Sequence, residues 1–321
     1  MIKIGLFFSK RVFFPVLVLF FSIGCWDLAE AGKVNVVTSI FPLYDFTSQI
    51  GGDLVNVRLL LPPGVEAHGF SPTSHDMIAI SKSDLFLYIS NGLEPWALTI
   101  TSALDSGKTK IVEIGKEIFP DIDDKVKVGK GDTEGDHHEG HRHPGRDPHI
   151  WLDPHLAVEM VKVIAAALSE IDPGHGKVYE SSSRAYIEKL SRFDRETEQN
   201  LKNCKIRTIV SGGHFAFGSF AGRYGLTAVS PFKGYSPSAQ PSPRAIARLV
   251  KIVRKTGSSV IFHEELIEPK VARIVAGETG GHLLLLHGVH NVSRDELQRG
   301  ETYLSLMERN VQNLRQGLQC Q

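Results

Sequence analysis

The chain carries no excess of charge: Lys+Arg and Asp+Glu both number 36 in 321 residues. That balance gives no support to a nucleic-acid binder or to a strongly membrane-attracted surface. Familiar signatures of catalysis are missing too. There is no P-loop and no G-x-S-x-G elbow, and HEELI at 263–267 has Ile267 where H-E-x-x-H needs its second histidine. HHEGH at 137–141 fails likewise, because its Gly and Pro neighbours oppose a stable helix. A zinc hydrolase is therefore disfavoured. Cysteine is scarce, with only Cys25, Cys204 and Cys320. What remains is a composition of 42% hydrophobic and 22% charged residues, that of a soluble globular protein. Its length admits two ordinary domains, each with its own core.

An apolar run of 13 residues, Val12–Gly24, follows Lys3, Lys10 and Arg11. It is too short to span a bilayer comfortably and suits the apolar region of an export signal. Two exits are open. Ala29-Glu30-Ala31 is an A-x-A cleavage pattern, whereas Ser22-Ile23-Gly24-Cys25 resembles a bacterial lipobox with Ser22 in the place of Leu. The expectation is an exported protein with a signal over 1–31, or a lipoprotein signal over 1–24 with Cys25 lipidated. Either route leaves Cys204 and Cys320, which an oxidising compartment allows to pair or to stay free.

Beyond the signal, strand-like and helix-like runs alternate. VNVVTSI (34–40), VNVRLLL (55–61), DLFLYIS (84–90) and 110–114 read as strands, with helices at 42–51, 74–81 and 94–104. The apolar content vanishes from Gly129 to Arg146 (GKGDTEGDHHEGHRHPGR), which predicts a surface loop. Helices follow at 156–171 and 177–201. In the second, Tyr179, Tyr186, Leu190, Phe193 and Leu201 form one apolar stripe. The alternation then restarts, with strands at 207–210, 226–229, 259–262 and 282–286 and helices at 215–224, 243–256, 269–279 and 303–318. The predicted fold class is α/β: two lobes, each a parallel four-stranded sheet flanked by helices, joined by one long helix. The predicted boundaries are 32–172 for the first lobe, with its His-rich loop at 129–146, then 173–202 for the linking helix and 203–321 for the second lobe.

Fourteen histidines are present, and six of them fall between Gly135 and His155. A histidine cluster alone is only a compositional hint. Position discriminates better, because open α/β sheets bind ligands beyond the carboxyl ends of their strands. His68 lies in the loop after strand 55–61, His149 ends the His-rich loop just before Trp151, and His214 follows strand 207–210. The first two belong to one lobe and the third to the other, so a site between lobes could gather all three. Three neutral imidazoles suit Zn²⁺ and leave one tetrahedral position open.

LPPGVEAHGFSPTSHDM (61–77), DPHIWLDP (147–154) and GGHFAFGSFAGRYGL (212–226) resemble three metal-ligand segments of one family. It comprises the substrate-binding proteins of bacterial zinc and manganese ABC importers, the ZnuA/TroA-like group. The resemblance extends to NGLEPW (91–96), the long helix and GETYLSLMERN (300–310). It implies a two-lobed fold with limited hinge motion and an ion in the cleft, held by His68, His149 and His214. A histidine in the third segment resembles zinc-type members, so Zn²⁺ is expected ahead of Mn²⁺.

The chain departs from the family at the fourth ligand. Where many relatives have an aspartate after the last strand, LLLLHGVHNVSRDELQRG (283–300) has no acid until Asp295. His287 is expected to fill the place, with His290 or water as the alternatives. Glu264 resembles a family glutamate near the cleft that orients a ligand. His137, His138, His141 and His143 are expected to capture or sense zinc as an auxiliary loop site. The resemblance implies a periplasmic or lipid-anchored monomer that delivers Zn²⁺ to a membrane permease and its ATPase. It implies no enzymatic activity and no nucleic-acid partner. The alternative function is a surface adhesin or an extracellular zinc buffer.

Overall fold

Short β-rich runs build the first sheet. β1 (Val34–Thr38), β2 (Val55–Leu59), β3 (Leu85–Tyr88) and β4 (Lys110–Glu113) are all parallel, in the order β2-β1-β3-β4. β3 reads LFLY and is buried along its whole length, as a strand covered on both faces must be. The crossovers are α1 (Phe41–Gly51), α2 (Ser74–Ser81) and α3 (Ala97–Ala103), and a short α4 (Ile114–Ile118) follows β4. α2 begins where the sequence says it must, because Thr73 and Asp76 form a reciprocal capping box. The computed structural model describes residues 32–104, 108–120, 147–214, 216–232 and 240–321. The N-terminal run with Cys25 and the loop with His137, His138, His141 and His143 lie outside the described residues.

α5 (Pro154–Ile171) and α6 (Gly176–Lys202) come next. α6 has 27 residues, about 40 Å at roughly 1.5 Å per residue. Its buried stripe is Tyr179, Ser183, Tyr186, Leu190, Phe193, Thr197 and Leu201, at spacings of three and four that keep one face inward. That face meets α5 and α1 on one side and α11 (Tyr303–Gly317) on the other.

The second lobe is built from β5 (Thr208–Val210), β6 (Thr227–Val229), β7 (Val260–His263) and β8 (His282–Leu285). β5 pairs with β6 and β7 with β8, both in parallel. Instead of a continuous four-stranded ladder, the two pairs meet at one parallel bridge, Ser211 to Phe262, where the Gly212 amide donates to the Phe262 carbonyl at 2.8 Å. Strands of three or four residues leave little ladder to share, and the chain turns away after Val210 towards His214. For the same reason the helix expected at 215–224 is only α7 (Gly218–Arg223). α8 (Pro243–Thr256), α9 (Lys270–Thr279) and a short α10 (Arg294–Gln298) complete the lobe.

Lys33–Gln321 forms one compact unit. The largest apolar cluster runs from Val36, Phe46 and Leu87 through Trp151 and Leu190 to Phe220, Phe262 and Leu306, with smaller clusters around Phe86 and around Ile261. At its centre the buried Asp45 of α1 accepts a hydrogen bond from the Tyr186 hydroxyl of α6 (3.1 Å) and one from the Tyr303 amide of α11 (3.3 Å). Among the described residues no helix is long and apolar enough to cross a membrane.

Cys204 and Cys320 form a disulfide across 116 residues of sequence, closing the second lobe on itself. Cross-linking a loop of that order stabilises by restricting the unfolded chain, typically by about 2–4 kcal/mol. Cys320→Ser, or reduction of the native protein, should therefore lower the thermal midpoint by several degrees. A scan with and without reductant checks this, with the Cys320→Ser protein insensitive to the reductant.

Candidate metal centre

The His68 loop starts with a turn fixed by composition. Val65 donates to the Pro62 carbonyl at 3.1 Å, with Pro63 second and Gly64 third at φ 85. Proline pre-sets the second position of such a turn, and the third demands a positive φ that glycine adopts without strain. Glu66 then accepts the amides of His68 and Gly69 and folds the loop on itself.

His149 is set by its own segment. The Asp147 carboxylate accepts the His149 amide at 3.0 Å and its ring Nδ1–H at 2.8 Å. The other Asp147 oxygen is held at 3.3 Å by the Ser219 amide and hydroxyl at the start of α7. Trp151 is fully buried behind the ring and donates its indole N–H to the Gly288 carbonyl at 2.8 Å.

His214 follows β5 through Gly212 and Gly213. The Glu264 carboxylate accepts the His214 amide at 2.6 Å and contacts its Nδ1. A Cβ on Gly213 would sit 1.7 Å from Glu264 Oε1, so only glycine lets this carboxylate approach.

These supports bring three Nε2 atoms together. His149 Nε2 lies 3.3 Å from His68 Nε2 and 3.1 Å from His214 Nε2. Among the described residues this is the one group of donors close enough to hold a metal ion. Because carboxylates face the outer nitrogens of His149 and His214, their Nε2 atoms are the ones turned inward, where a metal ion would take their lone pairs. Zn–N bonds of about 2.0–2.1 Å in tetrahedral geometry place neighbouring nitrogens roughly 3.3–3.4 Å apart. The observed separations are close to that edge.

Burial and the neighbouring imidazoles push the His68 pKa down to about 2. Burial also lowers that of His149, outweighing the opposing Asp147 carboxylate. Burial pulls His214 the same way, but the Glu264 charge and hydrogen bond win and hold it above its ordinary value.

His287, expected as the fourth donor, stands outside this group. Its Nδ1 accepts the Val289 amide at 2.9 Å, and its ring faces Glu265 and Glu296 at 3.5 and 3.6 Å. Burial would lower its pKa, but the two carboxylates raise it. His287 is thus engaged as the partner of an acidic pair. His290 also lies outside the group, but it is 2% exposed and neither of its buried ring nitrogens has a hydrogen-bond partner among the described residues. Burial and then His214, His68, His287 and His149 hold its pKa well below the usual value, so it is neutral beside the cluster. Glu265 and Glu66 face its ring at 3.7 and 3.9 Å.

Sequence reasoning missed Asp147, Glu66 and Glu265. Asp147 carried a signal, since Asp two residues before a buried residue commonly closes an Asx turn on the backbone. Glu66 and Glu265 carried none, because only the folded loops bring them to His290.

Three imidazoles converging at the strand ends of a two-lobed α/β fold define a metal-binding protein. Comparison with known proteins gives the family. Residues 36–317 match the model of ZnuA, described as the periplasmic component A of the zinc-uptake complex, and the chain belongs to this family of binding components rather than to an enzyme family. It is 33% identical over 300 residues to the zinc-binding lipoprotein AdcA of Streptococcus pneumoniae, covering 92% of this chain and 58% of that protein. The chain thus spans little more than half of AdcA's length. With the high-affinity zinc uptake system protein ZnuA of Bacillus subtilis it shares 33% identity over 292 residues, covering 90% and 89% of the two chains. In three dimensions it resembles the Zn(II)-bound ZnuA-like domain of S. pneumoniae AdcA, with a TM-score of 0.72 and 30% identity over 89% of this chain and 99% of that one.

Losing a carboxylate that orients a metal-binding histidine typically costs 10–100-fold in metal affinity. Glu264→Gln and Asp147→Asn should each weaken zinc binding by that factor without unfolding the chain. Competition against a chelator of known affinity, with circular dichroism as the folding control, measures both.

Proposed function

We propose that this chain is the extracytoplasmic zinc-binding component of an ABC importer. It captures Zn²⁺ in a site between its lobes and hands the ion to a membrane permease energised by an ATPase. The observation that carries the reading is the convergence of the His68, His149 and His214 Nε2 atoms at 3.1 and 3.3 Å. Their donor chemistry favours zinc, since Mn²⁺ prefers oxygen ligands. The names of the relatives support the same cargo, as does the metal-bound state of the AdcA domain.

The fourth donor in this reading is His290. It is neutral and buried, and both of its ring nitrogens are without a hydrogen-bond partner among the described residues, whereas the Nδ1 of His287 already accepts the Val289 amide. The lobes at 32–172 and 203–321 flank the ion, and the helix at 173–202 links them. A leader over 1–31, or a lipoprotein signal ending before Cys25, exports the chain. His137, His138, His141 and His143 gather zinc loosely and pass it inward. The protein acts as a monomer that binds, delivers and returns.

Calorimetric zinc titration against a competing chelator tests this on the chain from Gly32. The expected result is one tight site that survives deletion of residues 132–145 and is lost in His214→Ala. His290→Ala should weaken it at least tenfold more than His287→Ala. Tight binding that disappears with the loop and survives His214→Ala would overturn the reading.

A further inference from the structure

The segment from Leu286 to Val292 is tied to every loop that carries or supports one of the three converging histidines. Its Gly288 carbonyl accepts the Trp151 indole, two residues from His149, and its Gly288 amide donates to Glu265 at 2.7 Å, next to the Glu264 that holds His214. The His287 backbone is clamped at both polar atoms by the Asn310 side chain, at 2.7 Å each. Val289 sits at φ 59, a left-handed conformation that a β-branched residue adopts only when its surroundings over-determine it.

The third tie goes to the loop of His68. The Asn291 side-chain amide donates to the Pro62 and Val65 carbonyls at 2.7 Å each, and its oxygen accepts the Val292 amide at 2.8 Å. Beside it, the Gly64 amide donates to the Val292 carbonyl at 2.8 Å. Asn291 is fully buried, and both of its N–H groups are used on a loop more than 200 positions away. A buried amide so engaged is costly to leave unpaired.

His68 is the least buried of the three donors, and its loop runs from the end of β2 at Leu59 to the start of α2 at Ser74. For the ion to leave, the donor that can yield first is this one, and its loop is held to the second lobe by Asn291 and Val292. We infer that Asn291 is a positioning residue for zinc: it latches the His68 loop and sets the rate at which the ion is released. It touches no ion itself. The inference rests on His68 being a zinc donor.

The test is zinc release from the loaded chain into excess chromogenic chelator, followed by stopped flow. Asn291→Asp keeps the size and the accepting oxygen but places a carboxylate oxygen against two carbonyls. Asn291→Ala removes the latch without adding charge, and covers the event that the buried carboxylate disturbs folding. Both should release zinc about tenfold faster, with the association rate within about twofold of the native protein. Cys320→Ser serves as the control for general loosening, since it removes the Cys204–Cys320 cross-link and leaves the Asn291 hydrogen bonds in place, and should release zinc at the native rate. If both Asn291 variants fold and release zinc at the native rate, the inference is overturned. It is equally overturned if Cys320→Ser speeds release as much, because Asn291 would then act only through stability. If the native chain binds no zinc tightly, or His214→Ala leaves binding intact, the site reading fails and the latch falls with it. Native binding with unchanged release from the variants sinks the latch alone.

Discussion

Everything at the metal centre depends on two carboxylates gripping the outer nitrogens of two buried imidazoles. Asp147 takes Nδ1–H of His149 and Glu264 contacts Nδ1 of His214, which turns both Nε2 lone pairs inward to 3.1 Å from each other. Each carboxylate also holds its histidine's backbone amide, so one group fixes both the position of the residue and the orientation of its ring. The lack of side chains at Gly212 and Gly213 follows from the same need, as a Cβ at either would strike α9 or Glu264. Binding strength is thereby built into the fold before any ion arrives, as preorganisation requires.

Much of this was legible in the chain. Strand positions followed from β-branched runs, and Thr73 with Asp76 announced the start of α2. His68, His149 and His214 were found by their topological positions and by the segments that carry them. The short α10 was also readable, since Ser293 and Glu296 form a capping box, but five residues between two loops give no hydrophobic period to notice. The proposed fourth donor was not legible. HGVH offers two histidines three residues apart, and only tertiary structure shows that the first accepts the Val289 amide while the second is buried with no hydrogen-bond partner among the described residues. The weak joint in the second sheet was hidden too, because strand propensity says nothing about where neighbouring strands diverge.

The lobes are not independent bodies. One core passes through both, and Asp45 ties α1, α6 and α11 by two hydrogen bonds to a single buried carboxylate oxygen. Burial raises the pKa of that group, and the bonds from Tyr303 and Tyr186 only partly offset the effect. Wide separation of the lobes would expose this network and the aromatic residues around it.

A carrier must bind an ion tightly enough to collect it and loosely enough to surrender it. This centre divides the two tasks chemically. The donors are neutral imidazoles, which satisfy zinc without cancelling its charge. The negative charge stands one step outward, on Asp147, Glu264, Glu265 and Glu66, each near a histidine ring. Carboxylates at that distance attract a divalent cation through the poorly screened interior without forming bonds that must be broken for it to leave. Moving those charges into direct coordination would deepen the well and favour oxygen-seeking ions such as Mn²⁺. Keeping them behind imidazole favours zinc over oxygen-seeking ions.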